Sequence, residues 1–569
     1  MENKEQRMKY WMIVIVFLMA GRMAWAQQDI AGDWKGVLNA GVADLHLVLH
    51  ITKGAGGGLS ATLDSVDQNA NGIPVSSVKL NGSKLNLEVE AVHGTYVGTV
   101  SSDGKTISGT WSQGQDLPLE FKREVAKPAV EVKPSDIDGA WMGLLDTGGI
   151  KLHVVFHIKN TAEGLSATMD SPDQGVKGMS TSSVTRDGNS LKIEVSKVGG
   201  KFEGKIAADL SSIEGSWSQG AGALPLSLKK VSDKDQAELA PKRPQVPVKP
   251  YPYREEEVSY ENKVQNVTLA ASLTIPQGKG PFPAVLLITG SGPQDRDETL
   301  MGHKPFLILS DYLTRHGIAV LRADDRGTGK STGVFAKATT ADFATDVEAG
   351  IAYLKTRSEV DPHKIGLIGH SEGGVIAPMV AARNKDVDFI VMMAGTGVPG
   401  DEVIGAQVEA ILVASGKSPE EAAKRATQQR EINKLVETET DPAKLEKELK
   451  AKLADVPEAQ VGMEISQITS PWFRYFLTYD PATALRKVTC PVLVLNGSLD
   501  KQVLPDQNLP AIRKALEQSG NKHFEIDELQ GLNHLFQTAK TGSPMEYAQI
   551  EETMSPVALD KIATWIAKQ

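Results

Sequence analysis

Cysteine is almost missing from these 569 residues: Cys490 is the only one, so no disulfide can form within the chain. It also lies far from the N-terminal leader, where a lipoprotein would need its lipid-bearing cysteine. As it opens an apolar strand, it reads as a core residue and not a nucleophile. A basic surplus is missing too. With 61 Lys and Arg against 71 Asp and Glu, the net charge is −10, which leaves no basic surface for nucleic acid and no polybasic patch for anionic lipid. No membrane anchor is expected in the mature chain. The apolar run Trp11–Ala20 falls well short of the roughly 20 residues needed to span a bilayer. It follows Met8-Lys9-Tyr10 and precedes Ala24-Trp25-Ala26, a small-x-small cleavage pattern, so residues 1–26 read as a secretory signal peptide, with Met8 as an alternative start. Export without disulfides fits a bacterial periplasm first and secretion second.

What is present begins with a duplication. Gly58-Leu59-Ser60-Ala61-Thr62-Leu63-Asp64-Ser65 recurs as Gly164-Leu165-Ser166-Ala167-Thr168-Met169-Asp170-Ser171, and Trp34 and Trp111 recur as Trp141 and Trp217. Short alternating runs such as Leu45–Ile51, punctuated by Gly, Asn, Asp and Ser, specify antiparallel strands. The spacing predicts two small all-β domains, 27–123 and 135–231, each a meander barrel or sandwich with its two tryptophans in the core. His46 and His50, repeated as His153 and His157, fall on one strand face. Two histidines without a third ligand do not make a metal site, so no metal is expected. No aromatic stripe marks a sugar platform, which leaves contact with a glycan or another protein as a role open to the repeats.

A proline-rich linker, 232–254, precedes a different texture. From 255 to 569, strands alternate with helices, the order of a doubly wound, mainly parallel sheet. Within it, Gly369-His370-Ser371-Glu372-Gly373-Gly374 fits Gly-x-Ser-x-Gly, with strand Lys364–Ile368 before it and an apolar helix Val375–Arg383 after it. Such a turn strains the serine backbone, and the flanking glycines relieve collisions with strand and helix. Ser371 is thus the candidate nucleophile, and a serine needs a base and an orienting acid that follow it in the order acid, then histidine. Asp500, just past strand Pro491–Gly497, is the preferred acid. Asp506 is the fallback, otherwise explained as a helix N-cap. His534, in a glycine-containing loop, is the preferred base over His523, which opens a strand. His370 is expected to pack beneath the turn. For the oxyanion, the amide of Glu372 is one expected donor and that of Ser291, or alternatively Gly292, the other.

With these parts assembled, 255–569 resembles the α/β-hydrolase superfamily. The motifs Gly290-Ser291-Gly292-Pro293-Gln294-Asp295-Arg296-Asp297, Asp324-Asp325-Arg326-Gly327-Thr328-Gly329-Lys330-Ser331 and the Ser371 elbow are similar to those of a bacterial carboxylesterase group often labelled serine-aminopeptidase-like. The resemblance implies hydrolysis of small-molecule, short-acyl esters without metal or organic cofactor. In such folds Asp325 and Arg326 tie strands together, and their expected role is structural. No His-Gly-Gly-Gly run is present, which argues against the hormone-sensitive-lipase type. An insertion, 398–480, should form a helical cap. Its helix starts are Ser418-Pro419-Glu420-Glu421, which reads as a capping box, and Asp441-Pro442, and its aromatic cluster is Trp472, Phe473, Tyr475, Phe476 and Tyr479. The same triad would serve an exopeptidase, with Glu372 or cap carboxylates to hold a substrate ammonium, or an acyltransferase. A surface-binding protein acting through the β repeats is the alternative of another class.

Overall fold

The computed structural model describes residues 29–569 apart from 40–43, 55–57, 66–69, 90, 91, 93, 114, 115, 125–131, 147–150, 175, 220, 221, 233–241, 455 and 457. The expected signal peptide, 1–26, and Met8 lie outside the described residues. The chain divides into two compact units, Met1–Glu131 and Val132–Gln569. Among the described residues no helix is long and apolar enough to cross a membrane.

The first unit is one antiparallel sheet of nine strands: β1 (Gly32–Asn39), β2 (Asp44–Lys53), β3 (Leu59–Ser65), β4 (Ala70–Val75), β5 (Ser77–Asn81), β6 (Lys84–Val89), β7 (Gly94–Val100), β8 (Thr106–Ser112) and β9 (Asp116–Arg123). Their order is β4-β3-β2-β1-β9-β8-β7-β6-β5, so the first strand pairs with the last and the two ladder ends are consecutive in sequence. The sheet rolls up, with β3 approaching β5 and β4 approaching β6. Alternate residues of β1 face in, as the period of a half-buried strand requires. Trp34 and Trp111 are 0% and 3% exposed within that core. A Cβ on Gly94 would lie 2.3 Å from the Trp111 ring, so the glycine is the seat of the indole.

The second unit contains the other copy, β10 to β18 (Gly139–Asp146, Lys151–Thr161, Gly164–Ser171, Val176–Ser180, Ser183–Asp187, Ser190–Val195, Gly200–Ile206, Ser212–Gln219 and Gly222–Val231), paired in the same order. Trp141 and Trp217 are buried as their counterparts are, and Gly200 seats Trp217. The histidines are not merely solvated: His157 Nε2 lies 2.8 Å from Asp170, His153 Nδ1 2.9 Å from Asp173, and His50 sits between Asp33 and Asp64. Among the described residues, no three His, Cys, Asp or Glu side chains form a metal-binding group.

The third sheet comprises β19 (Arg254–Asn262), β20 (Val267–Ile275), β21 (Phe282–Ile288), β22 (Ala319–Ala323), β23 (Val360–His370), β24 (Phe389–Met393), β25 (Val492–Gly497) and β26 (Phe524–Leu529). Its order is β19-β20-β22-β21-β23-β24-β25-β26; the first two pairings are antiparallel and the rest parallel. Helices α1 (Pro305–Arg315), α2 (Thr340–Leu354) and α3 (Gly373–Ala381) connect its strands. The first begins at Pro305, which suits the opening turn of a helix because proline has no amide hydrogen to leave unpaired. Separate apolar clusters form on the two faces of the sheet, which is why β24 and β25 read as unbroken hydrophobic runs.

Between β24 and β25 lie α4 (Gly400–Ala414), α5 (Pro419–Thr438), α6 (Pro442–Lys452), α7 (Glu458–Ile468) and α8 (Pro471–Thr478), which share a small core that includes Val436, Leu449 and Leu477. Ser418 and Asp441 cap α5 and α6 as their sequences require. The reciprocal half of the expected capping box is replaced: Glu421 turns to Lys417 at 3.3 Å.

The linker's end is anchored rather than free. Arg243 donates to the carbonyls of Met301, Ala548 and Ile550 at 2.8–3.0 Å, and Gln245 pairs with the main chain of Thr553 and Met554. Substituting Arg243→Ala strands three carbonyls, and we expect a loss of about 1–3 kcal/mol in folding free energy, read from urea unfolding of the full chain.

Candidate active site

Ser371 stands at the end of β23, the fifth of eight strands, with φ of +53°, a left-handed conformation that is uncommon for a residue with a Cβ. Close packing enforces it. A Cβ on Gly369 would lie 1.9 Å from the Gly373 carbonyl oxygen, and one on Gly373 would lie 2.1 Å from that of Ile288. The Ser371 amide donates to Met393 at 2.8 Å, tying the turn to β24. The serine itself is half-buried.

Asp500 follows β25 and is fully buried. Its Oδ1 accepts from the amides of Gln502 and Val503 at 2.8 and 2.9 Å, which fixes the carboxylate, and its Oδ2 lies 2.8 Å from His534 Nδ1. With Nδ1 donating to the carboxylate, Nε2 is the nitrogen left to accept a proton. The loop carrying His534 is built on Asn533, whose side chain accepts from the amides of Leu535 and Gln537 and donates to the Gln537 side chain. The fallbacks take no part in this arrangement. His523 is exposed before β26. Asp506 is exposed too, and it is not the N-cap expected from sequence: Leu504 holds that position and Pro505 opens the helix. Cys490 is half-buried, and burial pushes its thiol up to about 11, out of nucleophilic range at neutral pH.

The loop after β21 reaches the elbow at Gly290, where a Cβ would lie 3.4 Å from the Ser371 Cβ. Among the described residues, the amides of Ser291, Gly292 and Glu372 have no hydrogen-bond acceptor, so they remain available to an anionic oxygen. The following loop secures this one from below. Asp325 accepts from Thr289 Oγ1 and the Gln294 amide at 2.8 and 2.9 Å, Asp324 takes Arg296 in a bidentate pair, and Arg326 binds Asp346 at 2.7 Å. Burial pushes Asp325 up to about 8.

The Glu372 side chain turns inward beneath the cap. Its Oε1 accepts from Thr340 Oγ1 at 2.7 Å and from Trp472 Nε1 at 2.8 Å, and burial pushes the carboxyl up to about 6. It is thus already engaged by neutral donors. Trp472 stacks on Phe476 and Tyr475 on Tyr479, while Tyr475 and Tyr479 also pack against the core of the sheet and Phe473 lies in the core of the cap. A cavity of about 50 Å³ lies below the oxyanion loop, bordered by Thr289, Asp325, Asp346 and Glu372.

Sequence reasoning missed Glu298. Its Oε1 accepts from the Gly290 amide at 2.8 Å and lies 2.9 Å from His370 Nδ1. His370, expected only to pack beneath the turn, is indeed buried, but it also reaches the main-chain oxygen of His534 through Nε2 at 3.0 Å. The one available signal was a glutamate directly after the Gln294-Asp295-Arg296-Asp297 run; nothing local ties it to His370, 72 residues away.

With this geometry in view, residues 265–529 match the sequence model of the family described as X-Pro dipeptidyl-peptidase (S15 family). Esterase EstD of Thermotoga maritima is 28% identical over 312 residues, covering 54% of this chain and 68% of that protein. Among solved structures, Est1E of Butyrivibrio proteoclasticus, determined with ferulic acid bound, is 18% identical with a TM-score of 0.34, covering 55% of this chain and 98% of that one. The Pyrococcus furiosus esterase PF2001 is 17% identical with a TM-score of 0.34, over 49% and 82%. The C-terminal half has the α/β-hydrolase fold, and the family and esterase matches support a serine hydrolase of the esterase or peptidase-like group.

The engaged state of Glu372 gives a stability prediction. Its folded-state value, about 6, lies above the ordinary 4.5, so the stabilisation is complete below pH 4.5 and lost as pH rises through 6. Glu372→Gln keeps an oxygen for Thr340 and Trp472 and never ionises. We expect it to unfold like the wild type at pH 4.5 and to be more stable by about 2 kcal/mol near pH 8, read from urea midpoints at the two pH values.

Proposed function

We propose that the chain is an exported serine esterase that cleaves carboxylic esters of short acyl chains. His534 Nε2 takes the proton of Ser371 Oγ as that oxygen bonds to the ester carbonyl carbon. The carbonyl oxygen becomes an oxyanion held by the amides of Glu372 and Ser291, and Asp500 steadies the imidazolium. The carbon–oxygen bond to the alcohol then breaks, with the proton passing from His534 to the leaving oxygen. A water deprotonated by His534 attacks the acyl-enzyme, and Ser371 leaves with the proton returned. The observation that carries this reading is the buried Asp500–His534 hydrogen bond, its imidazole 4.8 Å from the ring of His370, which precedes a serine on a strained, glycine-flanked turn. Export rests on the leader pattern of 1–26. The β repeats would hold the enzyme near a glycan or protein partner.

The S15-family match favours a second reading, an exopeptidase using the same three side chains. An exopeptidase that frees N-terminal residues needs an acidic group for the substrate ammonium. Glu372 is a poor choice because its carboxyl already accepts two hydrogen bonds from Thr340 and Trp472.

The two readings part on a panel of p-nitrophenyl esters and aminoacyl p-nitroanilides. We expect the full chain to release nitrophenol from short-acyl esters, with Ser371→Ala reducing kcat/KM by at least about 10³-fold at unchanged thermal stability. Turnover confined to the anilides would replace the esterase with the peptidase.

A further inference from the structure

The reaction scheme leaves unused a second buried imidazole–carboxylate pair. Glu298 is 4% exposed and His370 6%. Their separation is 2.9 Å, and the His370 ring centroid stands 4.8 Å from that of His534. A carbonyl oxygen only accepts, so His370 Nε2 carries a proton and donates it to the His534 main chain. Glu298 Oε1 also accepts from the Gly290 amide. One pair therefore joins three segments: the oxyanion loop through Glu298, the nucleophile through its neighbour His370, and the base loop through His534.

The backbone is strained where the pair is held. Glu298 has φ of +53°, and Phe536, which meets the His370 ring edge-on at 6.4 Å, has φ of +60°. Such conformations persist only where the surroundings over-determine them, and they gather at functional sites. Burial alone would drive His370 below its ordinary value. Glu298 beside it, helped by the His534 carbonyl and Asp500, more than offsets this and raises His370, which favours its imidazolium form. The other titratable groups acting on the pair are His534 and Asp500 on the base side and Asp325 toward Glu298, with Tyr547 beyond Asp500. A lone imidazolium so close to His534 would oppose the charge the base acquires on taking a proton. Glu298 cancels most of that opposition.

We propose that Glu298 and His370 are positioning residues for the hydrolytic reaction, a strut that sets the base loop against the oxyanion loop while presenting the base with a balanced charge. The inference rests on the serine-esterase reading and adds two residues to it.

The test uses the full chain with His370→Gln, Glu298→Gln and both together. It measures kcat/KM for a p-nitrophenyl ester across pH, the rate at which a fluorophosphonate labels Ser371, and the thermal midpoint. Each single variant should lose about 10- to 100-fold in kcat/KM, and the double should lose little more than either, because the pair acts as a unit. His370→Gln leaves the Glu298 charge uncompensated beside the base, so the acid limb of the pH profile should move to higher pH. Glu298→Gln lets burial strip the His370 proton, so its acid limb should not move upward. Single variants within about 2-fold of wild type with unmoved acid limbs would overturn the proposal, even if their midpoints fall. So would losses that multiply in the double variant. If a single variant fails to fold, the double, which buries no lone charge, decides alone: wild-type kcat/KM in it overturns the strut. If the wild type cleaves no ester yet labels at Ser371, the esterase reading fails while the labelling rates still judge the pair. A wild type that neither cleaves nor labels overturns both.

Discussion

Everything at this site depends on three stretches of backbone crossing at distances that admit no side chain. Gly369 lies against Gly373, Gly373 against the Ile288 carbonyl, and a Cβ on Gly374 would lie 2.7 Å from Gly395. Each close approach ties the nucleophile's turn to a different neighbour: its own helix, the end of β21 that runs into the oxyanion loop, and the end of β24. The glycines therefore do more than permit a strained serine. They set which loops can surround it and how near those loops come. The strain is shared with those loops, since Ala394 after β24, Glu298 beyond the oxyanion loop and Phe536 in the base loop also have positive φ.

Four carboxyls surround this crossing, three of them buried and Asp325 half-buried, and their partners divide them. Asp500 and Glu298 each face an imidazole nitrogen, at 2.8 and 2.9 Å. Asp325 and Glu372 face only neutral donors, and burial pushes both up, to about 8 and about 6. A carboxylate in apolar surroundings keeps its charge only where a cation or proton donor of matching strength meets it. The two acids joined to histidines also reach the base, while the other two brace what stands around it: Asp325 the oxyanion loop, Glu372 the cap through Trp472. At neutral pH Asp325, pushed up to about 8, braces its loop largely as a neutral acid, whereas Glu372, pushed only to about 6, keeps most of its charge.

The parts legible in the sequence are those whose cause is local. Period-two alternation and seated tryptophans specify the barrels, and Ser418-Pro419 and Asp441-Pro442 specify helix starts because a cap needs only the next three residues. The strand–turn–helix pattern around Ser371 is local in the same sense. Asp500 and His534 were open to search because chain order limited the choices, and the structure brings their side chains into contact. What stayed hidden requires distant residues to meet. Glu298 and His370 are 72 positions apart, Glu372 and Trp472 100, and Arg243 finds Ile550 across 307. A proline-rich stretch reads as a spacer by composition, and only tertiary packing reveals that its end is bound. Asp506 failed as an N-cap for the converse reason: Pro505 suits the first helical position and moves the boundary back to Leu504.

The duplicated barrels offer an internal comparison between two folds of one ancestral pattern. Retained in both are the Trp34 and Trp141 indoles donating to the carbonyls of Ile30 and Ile137, a cation over each ring, and the Gln113 and Gln219 side chains bridging a tryptophan to Val92 and Val198. Retained also is a corner in which Asp64 or Asp170 accepts from the amide of Gly72 or Gly178 and holds His50 or His157. These contacts seat core rings or close turns. The outer face has drifted: Asp33, the second partner of His50, is replaced by Ala140, and Lys35, paired with Glu124, is replaced by Met142. Substitutions that keep these tryptophan and corner contacts while changing the outer face leave one scaffold with two different exteriors; within the core, Phe202 replaces Tyr96 and so lacks the hydroxyl that donates to Ile107 and Leu119. The histidine corner, kept in both copies, is explained by the turn it holds together.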